Sequence, residues 1–235
     1  MAYWLLKAIL TPILRVFYRV RVEGSDVVPK SGPVILAANH RSFLDSIFLP
    51  LVLRRRVTFV AKAEYFDDPK TAWFFRAVGQ IPIRREGGSA AEGALAAATD
   101  VLESGGVFAI YPEGTRTRDG YLHRGHTGVA RLALATGAPI VPVGLVGTDE
   151  CQPTDKKLPR IFRTVWIRFG TPLPVAHYSD RPDERLVLRQ VTDELMFEIR
   201  ELSGYEYVDQ YMTKGKKEDK DEPVPGPAVI TRIAS

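Results

Sequence analysis

Asn39-His40-Arg41-Ser42-Phe43-Leu44-Asp45 is the stretch from which the organisation of this chain can be worked out. The residues before it, 33–38, form an apolar run that predicts a buried strand, and the apolar periodicity of residues 43–53 predicts a helix after it. His40 is therefore expected at a strand-to-helix turn. In α/β sheets such turns collect ligands and catalytic groups, because the loop is exposed while the strand behind it is rigid. An imidazole in this position is well placed to act as a base.

Asp45 is predicted to fold back towards His40. Ser42 is a good helix N-cap and Asp45 falls three residues later, so the two residues can form a capping box that carries a carboxylate towards the imidazole. Two interpretations fit these residues. They are either a catalytic pair, or a hydrogen-bonded loop histidine beside an ordinary helix cap.

The composition predicts one globular α/β domain. The chain has 235 residues, of which 45% are hydrophobic and 26% charged, and this is enough for one sizeable core with small appendages. The net charge of +4 does not require a nucleic-acid partner and suits anionic ligands or a membrane surface. Cys151 is the only cysteine, so a disulfide within the chain is impossible and a reducing compartment is expected. No secretory signal is expected, since the N-terminus lacks an early basic region.

Residues 4–20 predict a basic amphipathic helix. One helical face would carry Leu6, Ile9, Leu10, Ile13, Val16, Phe17 and Val20, and the other would carry Lys7, Thr11, Arg15 and Arg19. The apolar run falls short of the ~20 residues that span a bilayer, so we expect this helix to lie in the membrane interface, with a kink at Pro12. A helix packed on the domain would have the same pattern, and the two arrangements are compatible.

The remaining pattern continues an α/β order. Strands are predicted at 57–61, 79–85, 107–110, 140–145 and 164–169, and helices at 71–78, 89–104, 128–136 and 183–202. We therefore expect a membrane-associating helix at 1–20, a domain at 21–212, and a charged, proline-rich, disordered tail at 213–235.

Two further stretches carry charged groups at expected strand ends. Residues 79–85 end in Arg84 and Arg85, which are either solvated or bind phosphate, for which the guanidinium fork is well shaped. Residues 111–117 form a turn-rich loop whose charged side chains are Glu113 and Arg116. No metal site is expected, because His123 and His126 have no cysteine or carboxylate at ligand spacing.

Four motifs in this order resemble the glycerolipid acyltransferase family, most closely the bacterial 1-acyl-glycerol-3-phosphate acyltransferases. They are His40-x-x-x-x-Asp45, Gly79-Gln80-Ile81-Pro82-Ile83-Arg84-Arg85, Tyr111-Pro112-Glu113-Gly114-Thr115-Arg116 and Val141-Pro142-Val143. The resemblance covers about residues 22–170. It implies a mostly parallel sheet flanked by helices and preceded by an N-terminal membrane-binding segment, in agreement with the pattern above.

The resemblance also implies residue roles. His40 is the general base and Asp45 the carboxylate that orients it, and Pro142 belongs to a motif associated with the acyl donor. Six residues are implied in binding the acceptor and its phosphate: Arg84, Arg85, Glu113, Gly114, Thr115 and Arg116. Relatives often carry an acid at the position of Arg84, so which of the two arginines contacts phosphate stays open.

These residue types suit acyl transfer. A glycerol hydroxyl is a poor nucleophile at neutral pH, and histidine is the side chain whose proton affinity best suits a base there. A carboxylate on the far nitrogen fixes the tautomer and stabilises the imidazolium. A thioester is already activated, so direct transfer needs no protein nucleophile; no G-x-S-x-G elbow occurs, and Ser42 is better explained as a cap than as an acylated residue.

The expected activity is transfer of a fatty acyl group to the free hydroxyl of 1-acyl-glycerol-3-phosphate, giving phosphatidic acid for phospholipid synthesis. The donor is expected to be a thioester of coenzyme A or of acyl carrier protein, with no cofactor. The alternatives are another lysophospholipid or glycolipid acceptor, and a non-catalytic lipid-binding protein. We expect the protein to attach peripherally to the cytoplasmic face of the cell membrane and to contact its phospholipids. No nucleic-acid partner is expected.

Overall fold

A six-stranded mixed sheet lies at the centre of the computed structural model, which describes residues 1–84, 89–153, 156, 158–175, 178 and 184–212, with the backbone alone at 89–91. The strands within these residues are β1 (Arg19–Glu23), β2 (Val34–Ala38), β3 (Val57–Thr58), β4 (Val60–Lys62), β5 (Ile81–Ile83), β6 (Val107–Ile110), β7 (Leu122–His123), β8 (Ile140–Val146), β9 (Thr164–Phe169) and β10 (Tyr207–Val208). The helices are α1 (Ala2–Phe17), α2 (Asp45–Val52), α3 (Glu64–Asp67), α4 (Pro69–Ala77), α5 (Ser89–Glu103), α6 (Gly128–Thr136), α7 (Thr148–Cys151) and α8 (Arg185–Ser203).

The strand order in the main sheet is β1-β9-β8-β2-β6-β3. Strands β3, β6, β2 and β8 run parallel, whereas β9 runs antiparallel to β8 and β1 runs parallel to β9. Pairs β4–β5 and β7–β10 form two small sheets of their own. The expected fold class, a mostly parallel sheet flanked by helices, is confirmed.

Helices cover both faces of the main sheet. Alternate residues of β2 point to opposite faces: Leu36 packs in the cluster on the α1 and α2 side, and Ile35 packs in the cluster with α5, α6 and α8. All five residues of β2 are buried, which explains why its sequence is a continuous apolar run without alternation.

One end of the sheet gathers the loops that matter here, and we call it the carboxyl edge. It is formed by the last residues of β2, β6 and β8, which are Ala38, Ile110 and Val146. Because β1 and β9 run the opposite way, their first residues, Arg19 and Thr164, lie at this same edge. The carboxyl edge therefore brings together segments that are far apart in the sequence.

The strand expected at 57–61 is two strands. The chain leaves the main sheet at Phe59, whose N–H donates to the side-chain oxygen of Gln80 at 2.6 Å, while the carbonyl of Phe59 accepts from the N–H of Ile81 at 3.0 Å. Strand β4 then pairs with β5 outside the main sheet. Strands β4 and β5 are about twenty residues apart along the chain. Local periodicity therefore does not reveal that the strand expected at 57–61 is divided in two.

Several predicted boundaries were close. Helix α6 and strand β9 match the expected ranges, and α2 begins two residues later than expected, at Asp45. Strand β8 covers the expected range 140–145, extends to Val146, and continues through Pro142. Pro142 is tolerated because it lies at the end of the ladder with β9, where its carbonyl accepts from the N–H of Gly170 at 2.9 Å.

The expected helix start at Asp183 lies outside the described residues, as does the tail at 213–235.

The N-terminal helix is shorter than predicted. It ends at Phe17, and Tyr18 adopts an extended conformation, with its side chain buried against Phe48. Arg19 and Val20 then belong to the edge strand β1, which is paired with β9. Helical periodicity continues through these residues in the sequence, but hydrogen bonding to β9 overrides it.

Helix α1 packs on the domain at Lys7. This residue was expected on the helical face opposite the apolar residues, and its ammonium group donates to the carbonyls of Pro50, at 2.7 Å, and of Leu53, at the C-terminal end of α2. Those carbonyls have no partner within their own helix, so a cation there is favourable. Burial lowers the pKa of Lys7.

The consequence is an exposed apolar surface, which we call the outer face of α1. It comprises Trp4, Leu5, Ile9, Ile13, Val16 and Phe17, with exposed fractions from 39% to 70%. Within the described residues, the structure contains no helix that combines the length and the apolar character needed to cross a bilayer.

Candidate active site

The imidazole of His40 lies at the carboxyl edge, immediately after β2. Its Nδ1 is 2.9 Å from Oδ2 of Asp45, and 17% of its side chain is exposed. No hydrogen bond to Nε2 is found among the described residues. With Nδ1 protonated and directed at the carboxylate, Nε2 carries the lone pair that can accept a proton from a ligand.

Asp45 holds the turn as well as the imidazole. Its Oδ2 accepts hydrogen bonds from the backbone N–H groups of Arg41 and Ser42, each at 2.8 Å, and its side chain is fully buried. The predicted folding back of Asp45 over the turn is therefore observed. In the expected capping box the hydroxyl of Ser42 would accept from the backbone N–H of Asp45. In the structure it accepts a weak hydrogen bond from the N–H of Leu44, at 3.3 Å.

The backbone of His40 is clamped by the loop that follows β6. The N–H of His40 donates to Oε1 of Glu113 at 2.9 Å, and the carbonyl of His40 accepts from the N–H of Thr117 at 2.9 Å. The other carboxylate oxygen of Glu113 accepts from the N–H of His123 at 3.0 Å. Glu113 thus joins three segments of the carboxyl edge through backbone groups.

Glu113 was expected to bind the acceptor, but the structure places it beneath the turn. Only 1% of the residue is exposed, and both of its oxygens are occupied by backbone N–H groups. This arrangement suits a residue that positions His40 better than one that contacts a ligand. Burial raises the pKa of Glu113 to about 7, against the opposing effect of the two N–H groups and of the nearby His123 and Arg41.

The raised pKa of Glu113 predicts a pH-dependent stability. The folded state holds this proton more tightly than the unfolded chain, whose carboxyl has an ordinary pKa of 4.5. The resulting stabilisation is fully present below pH 4.5 and is lost as the pH rises through about 7. Its full size is about 3 kcal/mol.

The wild type should lose stability relative to Glu113→Gln as the pH rises. We expect the difference between their free energies of unfolding to fall by about 2 to 3 kcal/mol between about pH 5 and about pH 8. Chemical denaturation of both proteins at the two pH values measures this difference. The other titrating groups are common to both chains and cancel. A difference that stays constant with pH would contradict the raised pKa.

Arg41 and Ser42 tie the turn to α7. The guanidinium of Arg41 donates to Oδ2 of Asp149 from Nε at 2.9 Å and from Nη2 at 2.6 Å, and it lies 4.1 Å from the ring centroid of Tyr205. The hydroxyl of Ser42 donates to the carbonyl of Gln152 at 2.9 Å. Ser42 has no exposed surface, so its hydroxyl serves the turn and is not presented to a ligand.

Tyr111 supports the imidazole from below. Its ring stacks on His40 with the centroids 3.8 Å apart and the planes 7° from parallel, and its hydroxyl is 2.8 Å from the hydroxyl of Ser46. The ring of Phe59 in turn stacks on Tyr111, with the centroids 5.6 Å apart. The face of an aromatic ring attracts a cation, so Tyr111 favours the imidazolium that forms when Nε2 accepts a proton.

The loop residues after Glu113 are open to ligands to different degrees. Gly114 is exposed at φ +72°, a conformation that favours glycine, and a Cβ there would crowd the ring of His126 at 3.1 Å. Thr115 and Arg116 are half-buried. No bonding partner for the guanidinium of Arg116 is found in the part of the chain that the structure describes.

Arg84 lies at the end of β5. Its side chain is 80% exposed, and its guanidinium forms a long ion pair with Asp67, with the nitrogen 4.0 Å from the carboxylate oxygen. The residue that follows it, Arg85, lies outside the described residues. Lys62, at the end of β4, is paired in register with Ile83 and is therefore close to Arg84 at the same end of this small sheet. Sequence reasoning missed Lys62, because only the β4–β5 pairing brings it beside Arg84.

Pro142 lies within the sheet, away from the exposed part of the site. It is buried, and it is paired in register with Ala37 of β2. The structure therefore gives it a role in the scaffold beneath the turn, and its expected association with the acyl donor stays a prediction. Among the described residues, no group of three or more His, Cys, Asp or Glu side chains is arranged to hold a metal ion.

Residues 19–146 match the family model described as acyltransferase. A chloroplast 1-acyl-sn-glycerol-3-phosphate acyltransferase of Arabidopsis thaliana is 33% identical over 139 residues, which are 59% of this chain and 39% of that protein. The 1-acyl-sn-glycerol-3-phosphate acyltransferase of Borreliella burgdorferi is 30% identical over 56% of this chain and 53% of its own. The chain thus spans about two fifths to half of the length of these relatives.

The crystal structure of the 1-acyl-sn-glycerophosphate (LPA) acyltransferase PlsC from Thermotoga maritima has a similar fold. The TM-score is 0.64 at 26% identity, over 83% of this chain and 79% of that one. The matched region of the family model contains His40, Asp45 and Glu113, together with the strands that position them.

Proposed function

The chain belongs to the acyltransferase family, and we propose that it transfers a fatty acyl group from a thioester to the free hydroxyl of 1-acyl-glycerol-3-phosphate, giving phosphatidic acid. The observation that carries this proposal is the pair His40 and Asp45, held 2.9 Å apart with Nε2 directed away from the carboxylate. The relatives named above act on this acceptor according to their names, which supports the same acceptor here.

The reaction needs only one protein base. The acceptor hydroxyl gives its proton to Nε2 of His40 as its oxygen attacks the thioester carbonyl. The tetrahedral intermediate then collapses, the bond from carbon to sulfur breaks, and the thiolate leaves with the proton that His40 returns. Asp45 keeps the imidazole oriented and stabilises its cationic form. The ring of Tyr111, stacked on one face of the imidazole, also stabilises the cation.

A purified-enzyme assay tests the proposal. Labelled acyl-CoA and acyl carrier protein thioesters would be offered with a panel of lyso-acceptors, and product would be identified by mass. Phosphatidic acid from 1-acyl-glycerol-3-phosphate is the expected main product. Preference for another lysophospholipid or a glycolipid would move the proposal to that acceptor, and no transfer with any acceptor would favour a lipid-binding role.

The phosphate of the acceptor is assigned to three arginines, which are Arg84, Arg85 and Arg116. Arg116 lies half-buried in the loop that clamps His40, and Arg84 is exposed at the end of β5, with Arg85 following it. A guanidinium forms forked, charge-assisted hydrogen bonds to a phosphomonoester. These arginines therefore favour a phosphorylated acceptor over a neutral one.

We expect Arg116→Ala, and at least one of Arg84→Ala and Arg85→Ala, to raise the KM for the acceptor by tenfold or more while changing the KM for the donor little. A hydrogen bond to a charged group contributes about 1.5–3 kcal/mol, which corresponds to a factor on the order of ten to a hundred. Arg21→Ala, in the edge strand β1, is a matched control. Unchanged acceptor saturation in all three variants would remove the phosphate assignment.

We further propose that α1 attaches the protein peripherally to the cytoplasmic face of a membrane. Its outer face presents six apolar side chains to solvent, and Arg15 is exposed beside them. Such a surface is typical of helices that lie in the headgroup region, where partly buried apolar groups and cations act together. The acceptor has a long acyl chain and is held in the same membrane, so attachment brings the enzyme to its substrate.

A further inference from the structure

A second apolar and basic surface lies in the connection before β9. Residues 156–163 have the sequence KKLPRIFR, which contains four cations and no acid. Its apolar members are exposed: 83% of Leu158, 45% of Ile161 and 65% of Phe162 are open to solvent. These residues lie about 140 positions after α1 along the chain, so sequence analysis alone does not show that the two segments share a surface.

The exposed side chains sit on an anchored backbone. The N–H of Arg160 donates to the carbonyl of Cys151 at 2.6 Å, and the N–H of Phe162 donates to the carbonyl of Phe17 at 2.7 Å. Phe162 adopts a left-handed conformation, with φ +60°, which is unfavourable for a bulky side chain. The fold therefore holds this phenylalanine in a strained conformation that leaves its ring largely in solvent, and the ring contributes little burial in return.

This surface continues the outer face of α1. The rings of Phe17 and Phe162 meet with their centroids 6.3 Å apart. The N–H of Arg19, at the start of β1, donates to the carbonyl of Arg163 at 3.0 Å. The apolar side chains of residues 158–162 and of α1 thus form one surface, although they come from segments more than 140 residues apart.

The surface also lies on the catalytic side of the sheet. Arg163 directly precedes β9, and Phe17 lies two residues before β1; the first residues of both strands are at the carboxyl edge. Cys151, which binds the backbone of Arg160, ends helix α7, and α7 is bonded to the catalytic turn through Asp149 and Arg41. Contact made by residues 158–163 would therefore bring the edge that carries His40 to the contacted surface.

We propose that residues 158–163 are a second membrane contact, which inserts Ile161 and Phe162 into an anionic lipid bilayer and turns the carboxyl edge towards it. An anionic bilayer suits this surface because exposed Arg160 and Arg163 flank the apolar side chains and because the surface adjoins the outer face of α1. This inference rests on the proposed membrane attachment and adds a second contact that fixes the orientation of the active site.

Co-sedimentation with vesicles tests the second contact. The probes are vesicles of equal parts phosphatidylcholine and phosphatidylglycerol, and vesicles of phosphatidylcholine alone. We expect Ile161→Ser with Phe162→Asn to lower partitioning into the anionic vesicles by about tenfold. Asparagine tolerates the left-handed conformation, so the double variant removes apolar surface without adding strain. Phe197→Ser, at an equally exposed phenylalanine on α8, is the matched control and should bind as the wild type does.

Labelling shows whether the segment enters the bilayer. Cys151 is fully buried, so an environment-sensitive fluorophore can be placed selectively at Phe162→Cys. Its emission should shift to the blue with anionic vesicles more than with phosphatidylcholine alone, and a label at Phe197→Cys should not respond. Arg160→Gln with Arg163→Gln should reduce the preference for anionic vesicles.

Each outcome bears on the proposal. Wild-type partitioning of the Ile161 and Phe162 double variant, or an equal loss in Phe197→Ser, would overturn it. Loss of binding only in Ile9→Ser with Ile13→Ser would support α1 as the sole contact and would also overturn it. A lipid-free change from dimer to monomer in the double variant, without a fluorophore shift, would assign the surface to a second copy of the chain. Absence of acyl transfer in every preparation would instead reject the proposed function, because partitioning does not depend on catalysis.

Discussion

His40→Ala is expected to lower acyl transfer by a factor of about 10² to 10⁴ while leaving the fold intact. In the structure, Nε2 of His40 is the proton acceptor offered at the carboxyl edge, and its removal leaves the acceptor hydroxyl without a base. The side chain is partly exposed, and the clamp on this residue uses its backbone N–H and carbonyl, which alanine retains. The thermal unfolding temperature should therefore change little.

The assay is steady-state transfer with saturating donor and acceptor, since loss of a base lowers kcat and need not alter the KM of either substrate. Vesicle binding and circular dichroism of the same preparation show that the protein is folded and attached. Near-normal turnover in such a preparation would mean that another group removes the proton. The proposed mechanism would then be wrong.

Asp45→Asn should reduce activity to a similar extent, and it should also destabilise the protein. Oδ2 of Asp45 accepts from the imidazole of His40 and from the backbone N–H groups of Arg41 and Ser42, in a site without solvent. An amide oxygen can keep some of these bonds but brings no negative charge to stabilise the imidazolium. If the amide NH₂ faces the turn instead, two buried N–H groups lose their acceptor, at a cost of about 1–3 kcal/mol each.

The two variants are therefore distinguished by stability. His40→Ala should unfold at nearly the wild-type denaturant concentration, whereas Asp45→Asn should unfold at a clearly lower one. Activity is compared at a temperature where both proteins remain folded. An Asp45→Asn protein with wild-type stability and wild-type kcat would show that the carboxylate neither orients the imidazole nor holds the turn.

The core of the site could be predicted from the sequence because its contacts are local. His40 and Asp45 are five residues apart, and a helix start after a buried strand is enough to fold the carboxylate back over the turn. The fold class followed in the same way from continuous apolar runs that alternate with helical periodicity. The resemblance then favoured phosphate binding for Arg84 over solvation, and it added roles for Arg116 and Pro142 that no local pattern could give.

The supporting residues could not be predicted, because their partners are distant in the sequence. Glu113 was assigned to the acceptor, yet it binds the backbone of His40, 73 residues away. Tyr111 was named only as part of a motif and had no predicted role, yet its ring stacks on the imidazole and its hydroxyl is within hydrogen-bond distance of that of Ser46. Parallel strands bring the loops after β2 and β6 to one edge, and which loop atoms then meet depends on register.

By itself, the sequence determined the α/β class, the strand-turn-helix that carries His40, and the amphipathic character of α1, since each follows from propensity and periodicity over a few turns of chain. Only the tertiary structure decided which side of α1 faces outwards. The unpaired carbonyls at the end of α2 draw Lys7 inwards, so the apolar side is left exposed. Hydrogen-bonding groups that are unsatisfied within their own element must find partners in another, and the sequence of α1 contains no information on where α2 ends in space.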